Sequence, residues 1–215
     1  MKFTYLIFVL TCMFLQISVK CQEEWNLKKD KNGIKVFSRK TKDFSLDELK
    51  VECVFEGRIS QLAAVLFDVN KHYQWVYKTT KSQLLKEIST TEVIFYTEIE
   101  CPWPFDNRDL VVHMNMVQHP GNKVMIIEAK NVSNFLPEKS NIVRVKYSKT
   151  TWTITPLNNQ QFKIDYRLQI DLGEGVPSWL LNLFSINGPY ESFMNLKEKI
   201  KLPPYLHAKF PFLSD

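Results

Sequence analysis

The amino-acid sequence predicts a single α+β domain in which a curved antiparallel sheet wraps around one C-terminal helix. Apolar and polar residues alternate with the period of two that is typical of strands over roughly a hundred residues after Tyr77. One long apolar helix then begins at Pro177 and runs to about Lys201. The chain has no linker and no internal repeat, and its 215 residues can bury a substantial core.

The N-terminus is predicted to be a secretory signal peptide. Lys2 precedes an apolar run, Phe3 to Val19, that is too apolar for a surface helix and short for a membrane span. Val19 and Cys21 stand where signal cleavage requires small residues, so we expect residues 1–21 to be removed on export to the periplasm or the cell exterior. A lipoprotein signal acylated at Cys21, or a retained anchor, is the alternative.

The mature chain, residues 22–215, is then expected to form one domain, with a core at about 25–201 and a short tail at 202–215. Without Lys2 and Lys20 its net charge would be about +3, compared with +5 for the whole sequence. This charge is small and the basic residues are scattered, which argues against nucleic-acid binding. We expect a monomer without a nucleic-acid partner.

The body of the chain is predicted to contain eight strands and one helix before the C-terminal helix. We expect the strands at 34–39, 46–55, 93–101, 111–117, 123–129, 142–147, 150–155 and 162–171, and the helix from Ser60, as its N-cap, to Tyr77. The last strand alternates strictly between apolar and polar side chains. One face of the sheet is therefore expected to be apolar and the other wet.

Motifs of catalysis and metal binding are absent from the sequence, which has no G-x-S-x-G, no glycine-rich phosphate loop and no H-E-x-x-H. Four histidines are dispersed along the chain: His72, His113, His119 and His207. Each is expected to lie at the surface or to support other side chains, not to act as a metal ligand or base. We predict no catalytic residue, no metal and no cofactor.

Two cysteines, Cys53 and Cys101, follow the predicted signal. An even pair permits one disulfide in an oxidising compartment, whereas two buried thiols are the alternative. Their spacing fits no zinc site. Both possibilities stay open at this point.

The most distinctive segment runs from Cys101 to Asp109 and reads CPWPFDNRD. Its two prolines flank Trp103 and end one strand, whereas Arg108 and Asp109 open the next and could form an ion pair at the hairpin. This pattern, P-W-P-x-x-x-R-D between two strands, resembles the signature of START domains, the steroidogenic-acute-regulatory-related lipid-transfer family. Further matching pieces follow in the same order: Trp152-x-Ile154-x-Pro156, Tyr166, Gly173-x-Gly175-Val-Pro177-x-Trp179-Leu180 and Gly188-Pro189-Tyr190.

The resemblance extends over about Trp25 to Lys201 and is strongest to the compact bacterial members of the family. It implies the helix-grip fold, with an apolar tunnel for one lipid or sterol-like molecule between the sheet and the C-terminal helix. It also implies that Arg108 and Asp109 are a structural hairpin pair. The motif residues Pro102, Trp103 and Pro104 would be structural as well.

Candidate ligand-binding residues lie on three strand faces and on the C-terminal helix. The residue pattern and the resemblance together give this set: Phe95, Thr97, Ile99, Val112, Met114, Met116, Tyr166, Leu168, Leu183, Ile186, Asn187 and Tyr190. A solid core would produce the same pattern. Because the polar members are Thr97, Tyr166 and Asn187, we expect any polar recognition to be neutral hydrogen bonding.

The expected function is the binding and transfer of a lipid or other hydrophobic small molecule under the C-terminal helix, with transient membrane contact and no catalysis. Pro189 is expected to kink or split that helix, which would act as a lid. One alternative is a helix-grip enzyme, cyclase-like or hydrolase-like, which His113 or Glu98 pointing into the cavity would favour. The other is an envelope protein-interaction module that docks through the tail, Pro203 to Asp215.

Overall fold

The computed structural model describes residues 24–41, 44, 46–173 and 176–215. They form a ten-stranded sheet and a C-terminal helical segment that packs on it. The predicted signal peptide, residues 1–21, lies outside the described residues, and so does Gly175 of the matched motif.

The sheet is built almost entirely from antiparallel neighbours. Its strands are β1 (Asn26–Lys31), β2 (Ile34–Arg39), β3 (Glu48–Glu56), β4 (Thr79–Ser89), β5 (Glu92–Ile99), β6 (Asn107–Gln118), β7 (Met125–Asn131), β8 (Ile142–Arg144), β9 (Tyr147–Asn158) and β10 (Gln161–Asp171). They are ordered β1-β2-β3-β10-β9-β7-β6-β5-β4, and β8 pairs in parallel with β6. The predicted fold class is confirmed. The sequence did not single out β1 and β4, because these edge strands are largely polar and exposed.

The predicted helix from Ser60 to Tyr77 is shorter than expected. Helix α1 spans Ile59–Phe67, and a 3₁₀ turn at Val69–Gln74 follows it. The break lies at Asp68, whose ψ of 61° is not helical. Ser60 is not the N-cap, because it lies inside the first turn of α1.

The C-terminal tail packs on the body of the domain. The carboxylate of Asp215 accepts hydrogen bonds from the backbone N–H and from the hydroxyl of Ser60, each at 2.8 Å. It thereby provides an acceptor for one of the N–H groups in the first turn of α1, which have no partner within the helix. Asp215 also forms an ion pair with Arg58 at 3.1 Å. Tyr205 is buried, and its hydroxyl donates to Asp68 at 2.9 Å.

The C-terminal helical segment has three parts. Helix α2 (Ser178–Asn182) leads through a π-helical turn (Leu183–Asn187) into helix α3 (Gly188–Lys199), and a short helix α4 (Pro203–Leu206) follows. The N–H of Gly188 donates to the carbonyl of Leu183, five residues earlier. Because Pro189 has no N–H, a regular α-helical bond is missing at this point, and the segment is divided here as predicted.

Helix α3 is anchored to the middle of the sheet by Phe193. Its ring stacks on Trp152 of β9 at a centroid distance of 5.2 Å and meets Tyr166 of β10 edge-on at 5.3 Å. Phe55 of β3 lies 6.4 Å away. Aromatic pairs of this kind add about 0.5–1.5 kcal/mol each beyond the burial of their area.

The outer face of the sheet is buried in part, although it was expected to be exposed to solvent. Ile94, Tyr96 and Val111 are buried there beneath the segment 132–144, which contributes Leu136. The alternation predicted a single apolar face, because it contained no sign that a loop would fold back over β4, β5 and β6. Arg144, a buried charged residue, lies at the end of this segment.

Asp109 forms its ion pair with Arg144, not with Arg108 as predicted. Nε of Arg144 donates to one carboxylate oxygen of Asp109 at 2.6 Å and Nη2 donates to the other at 3.1 Å, with both side chains 1% exposed. Arg144 also donates to the carbonyls of Ser133 and Leu136, at 2.7 and 3.0 Å. Arg108 and Asp109 are consecutive residues of β6, so their side chains point to opposite faces and cannot pair.

Cys53 and Cys101 are free, buried thiols. Cys53 lies on β3 and Cys101 just after β5, and four strands separate β3 from β5 in the sheet. This separation excludes a disulfide between them. Burial raises the pKa of both thiols, most strongly that of Cys53, which makes them poor nucleophiles.

The Asp109→Ala variant should lose about 3–5 kcal/mol of unfolding free energy, because it leaves the Arg144 guanidinium buried without its counter-charge. The matched control is Asp165→Ala, which removes a carboxylate paired with half-exposed Arg167 at 3.2 Å and should cost less than about 1 kcal/mol. Urea denaturation measures both. Equal losses in the two variants would contradict the structural role of the buried pair.

Candidate functional site

A cavity lies between the inner face of the sheet and the C-terminal helical segment. The cavity has a volume of about 240 Å³ and is partly open to solvent. Its walls come from β4, β5, β6, β7, β9 and β10, from the 3₁₀ turn after α1, and from α3 with the π-helical turn before it.

Seven of the twelve candidate residues lie in the cavity wall. They are Phe95, Thr97, Ile99, Val112, Met114, Tyr166 and Leu168. The pairing of the strands explains why they meet: Phe95 of β5 stands opposite Val112 of β6, and Leu168 of β10 stands opposite Thr150 of β9. The alternation therefore identified the inner face of each strand correctly.

The other five candidates, Met116, Leu183, Ile186, Asn187 and Tyr190, do not line the cavity. Met116 lies farther along β6 in the solid part of the core. Tyr190 and Asn187 face the β1–β2 hairpin, where the Tyr190 hydroxyl accepts from Asn32 at 2.8 Å and the Asn187 side chain accepts from Lys29 at 3.5 Å. Leu183 and Ile186 are partly exposed.

The helix face that does line the cavity carries Phe184, Gly188, Pro189, Ser192 and Phe193. Two of these residues are small, so the face that leaves room for a ligand is not the one with the most bulky apolar side chains. This is the physical reason why the predicted helix face was wrong. A search for glycine and serine at a spacing of four would have found it.

The small residues also allow Tyr77 to approach the helix. A Cβ at Gly188 would lie 3.3 Å from a ring carbon of Tyr77. The hydroxyl of Ser192 accepts from the backbone N–H of Tyr77 at 2.9 Å and donates to the carbonyl of Gly188 at 2.7 Å. Tyr77 in turn meets Phe184 of the π-helical turn edge-on at 6.5 Å.

His72 lies in the cavity wall and is buried, although the sequence predicted a histidine at the surface or in a supporting role. Its Nε2 is 2.8 Å from the carbonyl of Leu66, so Nε2 carries the proton and donates it. Trp75 and Phe95 meet its ring edge-on at 5.3 and 5.2 Å. Burial lowers the pKa of His72 to about 4, so the ring is neutral at pH 7.

His113 and Glu98, whose orientation would favour an enzyme, do not line the cavity. Nε2 of His113 lies 2.6 Å from a carboxylate oxygen of Glu92. Glu98 accepts from the hydroxyl of Tyr96 at 3.0 Å, next to Lys139. Both side chains lie on the outer side of the sheet, as the alternation predicted.

The loop between β5 and β6 carries the P-W-P motif and presents an aromatic side chain to solvent. Trp103, between Pro102 and Pro104, is 92% exposed. Phe105 of the same loop lies 6.0 Å from Trp179 of α2, which is 54% exposed. The loop and the start of the C-terminal helical segment thus share one exposed aromatic surface.

Two kinds of feature are absent from the described part of the chain. Within it, no helix is both long enough and apolar enough to cross a membrane. Also within it, no three side chains of His, Cys, Asp or Glu are grouped so that they could hold a metal ion.

The buried neutral His72 predicts a pH dependence of stability. Its folded pKa of about 4 lies below the ordinary 6.5, so the unfolded chain binds the extra proton first as the pH falls. The contribution of neutral His72 to the free energy of unfolding is therefore fully present above pH 6.5. It is lost as the pH falls towards 4, by up to about 3 kcal/mol.

Urea denaturation at pH 7 and pH 4.5 tests this dependence. The His72→Gln variant, which keeps a donor for the Leu66 carbonyl, should lose clearly less stability on acidification than the wild type. His119→Gln changes an exposed histidine and should behave like the wild type. A His72→Gln variant with the pH dependence of the wild type would contradict the assignment.

Comparison with known proteins gives a consistent result. The family model of the START domain matches residues 11–197, a range that begins inside the predicted signal peptide. Phosphatidylcholine transfer protein from Rattus norvegicus is 29% identical over 206 residues, which cover 92% of each chain. An uncharacterised protein from Pseudomonas aeruginosa is 24% identical over 81% of this chain and 86% of its own.

Solved structures share the architecture. A STAR-related lipid transfer protein fragment from Xanthomonas axonopodis superimposes with a TM-score of 0.76 at 29% identity, covering 83% of this chain and 99% of that one. Human STARD10 superimposes with a TM-score of 0.72 at 22% identity, covering 85% and 76%. The motifs, the helix-grip architecture and the family match agree, and the chain belongs to the START domain family.

Proposed function

We propose that this protein binds one lipid molecule in the cavity under its C-terminal helical segment and transfers it between membranes, without chemical change. The observation that carries the proposal is the cavity wall, which is formed mainly by apolar side chains, including Leu110, Met114 and Ile170. The relatives named as lipid transfer proteins support it.

The apolar wall accounts for the affinity that such binding would need. Each buried CH₂ group contributes about 0.8 kcal/mol, so roughly ten buried carbons of an acyl chain would contribute about 8 kcal/mol before the costs of association. Those costs are reduced because most of the wall consists of rigid strands. A preformed site loses little conformational entropy when it is filled.

An enzymatic role receives less support from the wall. General acid–base catalysis needs a group that can exchange protons near neutral pH. Among the described residues of the wall, His72 is the group closest to this range, but burial holds its pKa at about 4 and its proton is donated to the Leu66 carbonyl. Burial raises the pKa of Tyr166, which moves this hydroxyl further from use as a base.

Docking through the tail is likewise less favoured, because Asp215 and Tyr205 fix the tail on α1 and Asp68. The exposed aromatic surface of Trp103 and Trp179 is better suited to contact with a membrane, since tryptophan favours the boundary between lipid and water. It adjoins the start of the helical segment that covers the cavity. Separation of Tyr77 from Phe184 would let that segment move as a lid.

Export is part of the same proposal. A lipid-binding protein with a cleaved signal peptide would act in the periplasm or outside the cell. Mass measurement of the protein secreted by its host would test this, because cleavage after residue 21 would remove the first 21 residues. A chain that keeps its N-terminus in the cytoplasm would refute the export part.

The Val112→Trp variant tests the cavity directly. Val112 lies in the wall on β6, so the larger side chain should fill the space and reduce lipid retention at least tenfold. Val117→Trp is the matched control, because Val117 lies on the same strand and is 60% exposed. The measurement is native mass spectrometry after incubation with phospholipid vesicles. Equal retention by the two folded variants would argue against the cavity as the lipid site.

The Trp103→Ala variant tests the membrane contact. Loss of this exposed ring should slow the transfer of a fluorescent lipid between vesicles about tenfold, while the amount of lipid held per protein stays the same. Leu157→Ala, which shortens another exposed apolar side chain, should transfer at the wild-type rate. Unchanged transfer by Trp103→Ala would exclude this membrane contact as rate-determining.

A further inference from the structure

The cavity wall carries no formal charge at neutral pH. Among the described residues that line it there is no Asp, Glu, Lys or Arg, and its one histidine, His72, is neutral. A charged group of a ligand in this space would therefore lack an opposite charge and would lose its hydration without compensation.

Two polar side chains in the wall have unused hydrogen-bonding capacity. Nε1 of Trp75 and Oγ1 of Thr79 are buried, and neither has a hydrogen-bond partner among the described residues. Both residues are more than nine-tenths buried, at 5% and 7% exposure, and both line the cavity. Both lie in the short stretch from the end of the 3₁₀ turn to the first residue of β4.

The chemistry of these two groups restricts what they can bind. An indole N–H is a donor only and the hydroxyl of Thr79 can donate as well, so both groups can donate to an oxygen of a ligand. The neutral His72 next to Trp75 keeps Nδ1 as an acceptor, because its proton is on Nε2. The wall thus offers donors and an acceptor without any charge.

Two of the polar candidates from the sequence, Thr97 and Asn187, are already engaged. The hydroxyl of Thr97 donates to the carbonyl of Lys81 at 3.3 Å, and Asn187 accepts from Lys29 outside the cavity. The neutral hydrogen bonding that the sequence assigned to these residues is therefore available at Trp75 and Thr79 instead. A buried polar group without a partner is costly, so a ligand that satisfies both groups gains specificity as well as affinity.

We propose that Trp75 and Thr79 select an uncharged lipid, whose hydroxyl or ester carbonyl oxygen accepts hydrogen bonds from Nε1 of Trp75 and Oγ1 of Thr79. Acylglycerols and sterols with a free hydroxyl have this chemistry. A phosphoglyceride would have to keep its phosphate outside this wall. The inference rests on the proposed lipid-binding function and names the class of lipid for the same cavity.

The test uses the whole protein and vesicles that contain phosphatidylcholine, phosphatidylglycerol and a diacylglycerol with matched acyl chains, together with a sterol, all in equal amounts. The protein is recovered and its bound lipid is identified by native mass spectrometry and extraction. We expect the diacylglycerol or the sterol to be enriched at least tenfold over either phospholipid. Comparison of the diacylglycerol with the sterol distinguishes a ligand that carries esters from one that has only a hydroxyl.

Thr79→Val keeps the shape of the wall, whereas Trp75→Phe also shortens a side chain of the wall, and each variant removes one donor. Each variant should retain the uncharged lipid about 3- to 10-fold less well. The matched control is Thr80→Val, because Thr80 is exposed, lies outside the cavity wall and has a hydroxyl that already donates to the carbonyl of Glu98. Thr79→Val should unfold at the same or a higher temperature than the lipid-free wild type, since it removes a buried hydroxyl that lacks a partner.

Three outcomes would overturn the inference. Preferential retention of phosphatidylcholine or phosphatidylglycerol would do so while leaving the proposed function intact. Equal retention of the uncharged lipid by Thr79→Val, Trp75→Phe and the wild type would refute the assigned residues. Retention of no lipid from any vesicle would refute the proposed function, and the inference with it.

Discussion

The domain depends on the way α3 packs against the sheet. Phe193 fixes the helix at the centre of the sheet through Trp152 and Tyr166. Gly188 and Ser192, five residues and one residue before it, are small and leave space between the helix and the sheet. The same helix therefore packs on the sheet through Phe193 and leaves a cavity beside Gly188 and Ser192. Bulky residues at these two positions would occupy the space that a lipid needs and, at position 188, would press on the ring of Tyr77.

The rest of the structure keeps this cavity in shape. On the outer face, the buried pair of Asp109 and Arg144 fixes the segment 132–144 over β5 and β6, whose inner faces form part of the wall. At the end of the chain, Asp215 caps α1 and holds the tail in place. These contacts stabilise parts of the protein that do not line the cavity, and under the proposed function the α2 and π-helical region would be the moving part.

The sequence was sufficient to predict the strand faces but not the helix face. Alternation with a period of two has only two possible phases, so Phe95, Val112 and Leu168 were assigned to the inner side correctly. A helix can be rotated about its axis into many orientations. The helix residues beside the cavity include small ones, whereas a hydrophobic pattern indicates the face with large apolar side chains. The π-helical turn changes the phase further, and no residue type identifies such a turn in advance.

Long-range polar pairs could not be predicted from the sequence, for a different reason. The partner of Asp109 is 35 residues away, in a loop that folds back onto the sheet, and spacing alone gives no access to that geometry. Similarly, dispersed histidines look alike in sequence, although His72 is buried in the wall and His119 is exposed. Burial and hydrogen-bond partners, which only the fold supplies, separate a wall residue from a surface residue.

The most direct test of lipid binding in this cavity is a crystal structure of the protein loaded with a diacylglycerol whose acyl chains carry bromine. We expect anomalous peaks between α3 and the sheet, beside Gly188, Ser192 and Trp152, and the uncharged head group near Thr79. Anomalous peaks confined to the outer surface, with the cavity closed by its own side chains, would contradict it.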